Sequence, residues 1–335
     1  MAQLIECIPN VSEGRDRAKI NELAQAIKNA EGVNLLNIDR NEAANRTVFT
    51  FAGEAKNVMM AAGNLIAKSC ELIDMTSHHG EHPRMGAVDV CPFVPISGIT
   101  MDELTKMAEQ FAQKTAAQNN IAVYLYENNA RQPHRTRLEQ IRKGEYEGLS
   151  EKMKSTDWIP DFGPATFNPT FGAMVCGTRN FLVAYNINLN TKDVKIAKYI
   201  AGQIRQSGHT EIIDGEKRTV SGLFAHLKAI GWYISDFNCA QVSTNITNMD
   251  SAPMHEVYET VKRLAQEAGT DVNGSELIGL VPYRAIQVAG KHYAPERNLT
   301  EQIFAAIDAM GLGSVKPFNV NERILEIKAG WIPEL

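Results

Sequence analysis

One order of elements, met twice, constrains this chain most. Residues 4–11 have strand character, and residues 15–30 form an amphipathic helix with Ile20, Leu23, Ala24 and Ile27 on one face, closed by Gly32. Residues 33–39 and 46–52 are β-rich runs joined by a polar turn, so they predict a hairpin. A second helix over 56–72 leads to a strand over 87–95; a helix over 101–118 and a strand over 121–127 follow. Strand–helix–strand–strand–helix–strand is the split βαβ plan of ferredoxin-like folds. The plan returns roughly 190 residues later, judged by pattern and not by identity. Strands are predicted over 181–189, 232–236, 240–247 and 276–282, with helices over 191–206 and 253–268.

The expected architecture is therefore α/β (α+β): two ferredoxin-like βαββαβ subdomains, over 1–178 and 179–328, with a tail at 329–335. A chain of 335 residues suits two cores of ordinary size better than one. Within the first subdomain, residues 144–177 read as a loop-rich connector between the halves. They carry Gly163, Gly172, Pro160, Pro164 and Pro169, yet also Trp158, Ile159, Phe162, Phe167 and Phe171. A passive linker is more polar than that, and long ordered loops tend to carry function.

Charge and cysteine usage exclude several classes. The 34 basic and 39 acidic residues leave a net charge of −5, the wrong sign for a general nucleic-acid binder. No apolar run reaches the ~18 residues a membrane-spanning helix needs. The N-terminal MAQLIECIPNVSEGR lacks a secretory pattern. Cys7, Cys70, Cys91, Cys176 and Cys239 are odd in number and widely spaced, so free thiols in a reducing compartment, the cytoplasm, are expected.

The chemistry concentrates in Ser77-His78-His79-Gly80-Glu81-His82-Pro83-Arg84-Met85-Gly86, which holds three of the eight histidines. Gly80 and Pro83 break any helix, so this is a loop entering a strand. His78 and His82 are four apart as in a zinc HExxH helix, but no helix forms and Glu81 is misplaced, so no metal is expected. General acid–base work is the better reading, because an imidazole takes and returns protons near neutral pH. Asp39, at the end of a predicted strand, and Glu81 are the candidate orienting carboxylates. No GxSxG elbow is present, and the cysteines lie mostly in apolar runs that keep thiols protonated. The glycines form no GxGxxG or Walker pattern. In the turn Asn45-Arg46-Thr47, Arg46 is placed to fork a substrate carboxylate, and Arg84 is a second candidate.

Taken together, ECIPNVSEGR, NRTVFTFAG, ELIDMTSHHGEHPRMGAVDVCPFVPISGIT, VYLYE, RKGEYEGL, WIPDFGP and FLVAYNIN resemble the formiminotransferase family. The second half is similar through QVSTNIT and GSELIGLVP. These are glutamate formimidoyltransferases, free-standing or joined to a cyclodeaminase. The resemblance implies two α/β subdomains with a ligand tunnel between them, a homodimer, and tetrahydrofolate as co-substrate with N-formimidoyl-L-glutamate. Because no cyclodeaminase domain follows residue 335, that enzyme is expected as a separate chain. The resemblance further implies catalysis by His82 with Asp39, and substrate contacts from Arg46, Thr47, His79 and Arg84. Its folate-binding stretch falls on Gly163, Pro164, Ala165, Thr166, Phe167, Asn168, Pro169, Thr170, Phe171 and Gly172. Two departures stand out: Phe171 lies where family members often carry Trp, and Arg40-Asn41-Glu42 replace small residues. Formyl transfer and folate binding without catalysis are the alternative readings.

Overall fold

The structure, a computed structural model, describes residues 2–42, 44–234, 237–314 and 317–335. It divides into two compact units that meet between Arg179 and Asn180.

The first unit runs β1 (Leu4–Cys7), β2 (Asn10–Val11), α1 (Arg17–Lys28), β3 (Val33–Asn41), β4 (Arg46–Glu54), α2 (Ala55–Leu72), β5 (Val88–Ser97), α3 (Met101–Asn119), β6 (Ala122–Leu125), α4 (Leu138–Arg142), α5 (Glu145–Lys152) and β7 (Ala173–Thr178). The single strand expected over 4–11 is two pieces. Pro9 has no N–H to give the ladder, although its carbonyl still accepts from Phe49. Strands β3, β4, β1 with β2, and β5 lie side by side and antiparallel, the order of a ferredoxin-like sheet. β7 then pairs parallel to β5, and β6 pairs parallel to β7. Residues 173–177, expected at the end of a connector, thus lie inside this sheet.

Side-chain alternation explains why β6 and β7 are apolar throughout. Val123, Leu125, Met174 and Cys176 join Ile5, Phe49, Phe51 and Phe93 in the core that includes α1, α2 and α3. Ala122, Tyr124, Ala173 and Val175 point the other way, into a second cluster with Ile141 of α4 and Leu149 of α5. Helix ends are set locally. Asp16 caps α1 by accepting from Ala18 and Lys19 N–H, and Thr100 with Glu103 forms a reciprocal capping box on α3.

The second unit runs β8 (Val183–Leu189), α6 (Val194–Ile204), β9 (His209–Ile213), β10 (Glu216–Val220), β11 (Leu227–Ile234), β12 (Cys239–Ile246), α7 (Met254–Glu267), β13 (Val272–Ile278), α8 (Tyr283–Tyr293), α9 (Leu299–Ala309), α10 (Val320–Arg323) and α11 (Leu325–Lys328). Its sheet order, β11-β12-β8-β13, is antiparallel and repeats the ferredoxin-like plan. β9 and β10 form a hairpin of their own after α6. The strand expected over 232–236 begins earlier, at Leu227, and its residues 235–236 lie outside the described residues. Tyr185, Ile187, Val242, Ile200 and Val257 centre a core that is separate from those of the first unit. Among the described residues, no helix is long and apolar enough to cross a membrane.

Candidate active site

The histidine loop connects α2 to β5, and it is pinned from three sides. Asn45, in the β3–β4 turn at φ 46°, is the hub. Its side-chain carbonyl accepts from Gly14 N–H at 2.9 Å, and its amide donates to the His79 carbonyl at 3.0 Å. Its own carbonyl receives a hydrogen bond from His78 Nε2 at 2.9 Å. A side chain at Gly80 is excluded, because a Cβ there falls 2.2 Å from the Ala44 carbonyl oxygen. Ser12 closes the other side, its hydroxyl donating to the Gly86 carbonyl at 2.7 Å.

Within this frame the three histidines have separate fates. His78 is buried, and its Nε2–H is spent on Asn45. Its Nδ1 accepts from Arg84 Nε at 3.2 Å, so both ring nitrogens are committed in a neutral tautomer. His79 is exposed. His82 is half-buried and lines a small cleft with Ser12, Ala44, Asn45, Arg46, His78, Arg84 and Asp89. His82 Nδ1 is buried and has no hydrogen-bond partner. Burial first, then the Arg46, Arg142 and Arg84 guanidiniums, hold the imidazolium off and lower its pKa to about 4. At neutral pH the ring is an uncharged base.

The arginines divide the remaining work. Arg84 was expected to fork a substrate carboxylate, but its donors are already used. Nε and one terminal nitrogen bind His78, and the terminal nitrogens grip Glu147 at 2.6 and 2.8 Å and reach Glu145 at 3.4 Å. With five N–H groups and five bonds, it fastens the loop to α5. Arg46 differs: its Nε is buried and unpartnered. Burial lowers its pKa, Asp39 opposes that, and Arg142 adds to it. Arg46 is a cation lining this cleft with donor capacity to spare, and Arg142 Nε, behind Asp89, is also buried without a partner.

Two further expectations are corrected. Thr47 is fully buried, with its hydroxyl donating to the Glu13 carbonyl at 2.5 Å, so its side chain is committed to the fold. Asp39 is exposed on β3, opposite Val48, and makes no hydrogen bond to His82; it acts on Arg46. The carboxylate that lines the cleft is Asp89, which sequence reading missed. It accepts from Met85 N–H at 2.9 Å and is ion-paired with Arg142 of α4. Full burial pushes the Asp89 carboxyl above its ordinary range although Arg142 pulls it down. Its signal was one charge inside the apolar run Ala87-Val88-Asp89-Val90-Cys91, since a charge is retained in such a place only with a partner.

The stretch 163–172 reaches the same neighbourhood, although about 90 residues separate it from the histidine loop. Gly86 bridges Gly172, and Met75 N–H donates to the Thr170 carbonyl at 2.9 Å. Arg84 lies over the Tyr146 ring, whose centroid is 5.6 Å from that of Phe167. Much of the stretch is occupied by its own turn. Asn168 Oδ1 accepts from Thr170 and Phe171 N–H, and the Pro169 carbonyl accepts from the Tyr146 hydroxyl. Gly163 sits at φ +83°, where a Cβ would lie 1.9 Å from the Ile121 carbonyl oxygen. Phe171, expected to face a ligand, is 3% exposed and belongs to the core. Ala165 and Thr166 are exposed, while Pro164 and Phe167 are half-buried. Among the described residues, no group of three His, Cys, Asp or Glu side chains is placed to hold a metal ion.

Fold and cleft define a protein of paired ferredoxin-like units whose first unit carries a neutral histidine among arginines. Residues 4–179 match the family model described as the formiminotransferase domain, N-terminal subdomain, and residues 184–329 match the formiminotransferase domain. The chain belongs to the formiminotransferase family. A formimidoyltransferase-cyclodeaminase of Rattus norvegicus is 43% identical over 332 residues, covering 97% of this chain and 60% of that protein. A glutamate formimidoyltransferase of Streptococcus pyogenes serotype M1 is 42% identical, covering 88% of this chain and 94% of that protein. One of Thermoplasma acidophilum is 37% identical, covering 87% and 92%. The chain thus spans about 60% of the length of the curated formimidoyltransferase-cyclodeaminases it matches.

Proposed function

We propose that this chain is a glutamate formimidoyltransferase, moving the formimidoyl group of N-formimidoyl-L-glutamate to N5 of tetrahydrofolate. The observation that carries the reading is the uncharged His82, its buried Nδ1 without a partner, in one cleft with the unpartnered Arg46 Nε. Folate N5 attacks the formimidoyl carbon and gives a tetrahedral carbon bearing three nitrogens. His82 takes the N5 proton and delivers it to the glutamate nitrogen, which leaves as the amine. One imidazole serves both transfers. A substrate carboxylate at Arg46 offsets the positive field on His82 and makes the ring more basic as substrate arrives. Asp39 tunes Arg46, while the exposed Ala165 and Thr166 and the half-buried Phe167 of 163–172 are the folate contact in this reading. His79 is exposed, which supports its reading as a substrate contact. Five free thiols suit a reducing compartment such as the cytoplasm, and the family reading adds a homodimer and a cyclodeaminase as the enzyme that takes the product.

The test is turnover of N-formimidoyl-L-glutamate and of N-formyl-L-glutamate with tetrahydrofolate, followed by mass spectrometry of the folate product. His82→Ala is expected to lower kcat by roughly 10²–10⁴ and leave affinity for 5-formyltetrahydrofolate unchanged. Turnover of the formyl donor alone would replace this reading with formyl transfer.

A further inference from the structure

Helices α4 and α5 supply outer charges of the His82 cleft, and neither is long enough to hold itself. α4 has five residues and α5 has eight, short of the length at which a helix is stable alone. Yet Arg142, the last residue of α4, is ion-paired with Asp89, and Glu147 of α5 grips Arg84. Asp89 and Arg84 both line the cleft with His82. Arg142 is also, after Arg46, the second guanidinium that lowers the His82 pKa. The two helices meet at a sharp corner, with Gly144 at φ 93° and Glu145 at φ 53°. Glu145 carries a Cβ into a conformation that L side chains resist, so the corner has to be held shut from outside itself.

Part of that hold is apolar, because Ile141 and Leu149 share one buried cluster. The rest comes from Lys152, the last residue of α5, which the acid–base chemistry of His82 leaves unused. Its Nζ donates to the Ile141 carbonyl at 2.5 Å and to the Lys143 carbonyl at 2.9 Å, where α4 ends. The same ammonium lies 3.7 Å from the centre of the Trp158 ring. Trp158 is itself fixed, edge-on to Tyr124 and His134, and its carbonyl accepts from the Tyr124 hydroxyl at 2.6 Å. Among the described residues, no carboxylate is ion-paired with Lys152; its neighbour Glu151 is taken by Lys154. The charge that faces it from the end of α4 is a like one, Lys143. Burial first and Lys143 second lower the Lys152 pKa to about 8. A cation is thus kept half-buried between two carbonyls and a ring, with no counter-ion, at the joint of the two helices.

We infer that Lys152 is a positioning residue for the His82 cleft: its ammonium ties α5 to the end of α4 and so keeps Arg142 on Asp89 and Glu147 on Arg84. It touches no reacting atom. Without the charge, the last carbonyls of α4 turn to water and the two short helices shift on one another. Arg142 then acts on His82 from farther away, and the ring becomes easier to protonate. The effect of Lys152 on turnover rests on the formimidoyltransferase reading above; its effect on the His82 ring does not.

The full chain and its Lys152→Met and Lys152→Arg variants are compared by NMR titration of the His82 ring and by turnover of N-formimidoyl-L-glutamate with tetrahydrofolate. Lys152→Met keeps the apolar stem and removes the ammonium, whereas Lys152→Arg keeps the charge and the donors. In Lys152→Met the His82 pKa is expected to rise from about 4 toward 6.5 and kcat/KM to fall by roughly tenfold, while Lys152→Arg stays close to the parent in both. A purely structural fastener lowers the melting temperature and leaves the His82 titration where it is, so an unmoved titration in folded Lys152→Met overturns the inference. A Lys152→Arg protein that behaves like Lys152→Met places the effect in packing and not in the charge, and overturns it too. A parent chain that turns over no formimidoyl donor overturns the proposed function, and the titration still decides the positioning. If Lys152→Met does not fold, the other two proteins decide. The amide resonances of Asp89 and Arg142 are expected to shift in the parent as pH passes 8, where Lys152 loses its proton, and to hold still in Lys152→Arg. Matching behaviour of the two overturns the inference.

Discussion

His82 is a weak base by design of its surroundings, and the largest charged contribution comes from Arg46. The folded pKa of about 4 lies below the ordinary histidine value of 6.5. Between those values the unfolded chain holds a proton that the folded one does not, so stability falls as pH drops from 6.5 toward 4 and is unaffected by this group above 6.5. Replacing Arg46 with Gln is expected to raise the His82 pKa. The acid limb of kcat/KM then moves from near 4 toward neutrality, and the substrate's KM rises with the loss of its carboxylate partner. A pH–rate profile of parent and variant reads both effects; an acid limb at the same pH in the two proteins would remove Arg46 from this role. At this scale the sequence made the histidine cluster and Arg46 visible, because unusual residue types crowd into short stretches. It could not reveal that Arg84 is saturated, since Glu145 and Glu147 lie 61 and 63 residues away and only the fold brings them together.

Two phenylalanines of one loop separate what an element needs from what a ligand meets. Phe171 is packed into the core just before β7, while Phe167 stands half-buried beside Tyr146. Phe171→Ala is expected to cost about 3–5 kcal/mol of unfolding free energy, and Phe167→Ala clearly less. Urea unfolding checks the order, and 5-formyltetrahydrofolate binding is expected to weaken for Phe167→Ala in the folded protein. If Phe167→Ala proved the more destabilising, the loop would be braced in the opposite sense. The same loop explains why β7 was taken for connector. Ala-Met-Val-Cys-Gly-Thr is a short, buried, parallel strand, and a strand covered on both faces loses the alternation that marks its neighbours. β9 and β10 escaped for the reverse reason: Glu-Lys-Arg-Thr-Val is almost wholly polar and gives no apolar face to detect. Helix α3, by contrast, was expected over 101–118 and is found there, bounded by the Thr100–Glu103 capping box.

Each unit has its own apolar cores, and its sheet is paired within itself. Residues 1–179 expressed alone are therefore expected to melt cooperatively, whereas residues 1–172 are not. Circular dichroism melting distinguishes them, and a cooperative 1–172 fragment would show that β7 is dispensable. The doubled plan was legible because each half repeats the same succession of periods, but the sheet order past β5 was not, since nothing local reports that a later strand enters between two earlier ones. That late entry orders the birth of the molecule. β6 is joined to the sheet through β7, which is synthesised some fifty residues afterwards. While the ribosome is still making the histidine loop's counterpart at 163–172, β6 has no strand to lie against, and the framework around His82 lacks its last rail. The first unit therefore reaches its finished form only as the second begins to emerge, and a pause in translation just before residue 173 would prolong the interval in which a nearly complete sheet offers bare edges to other chains.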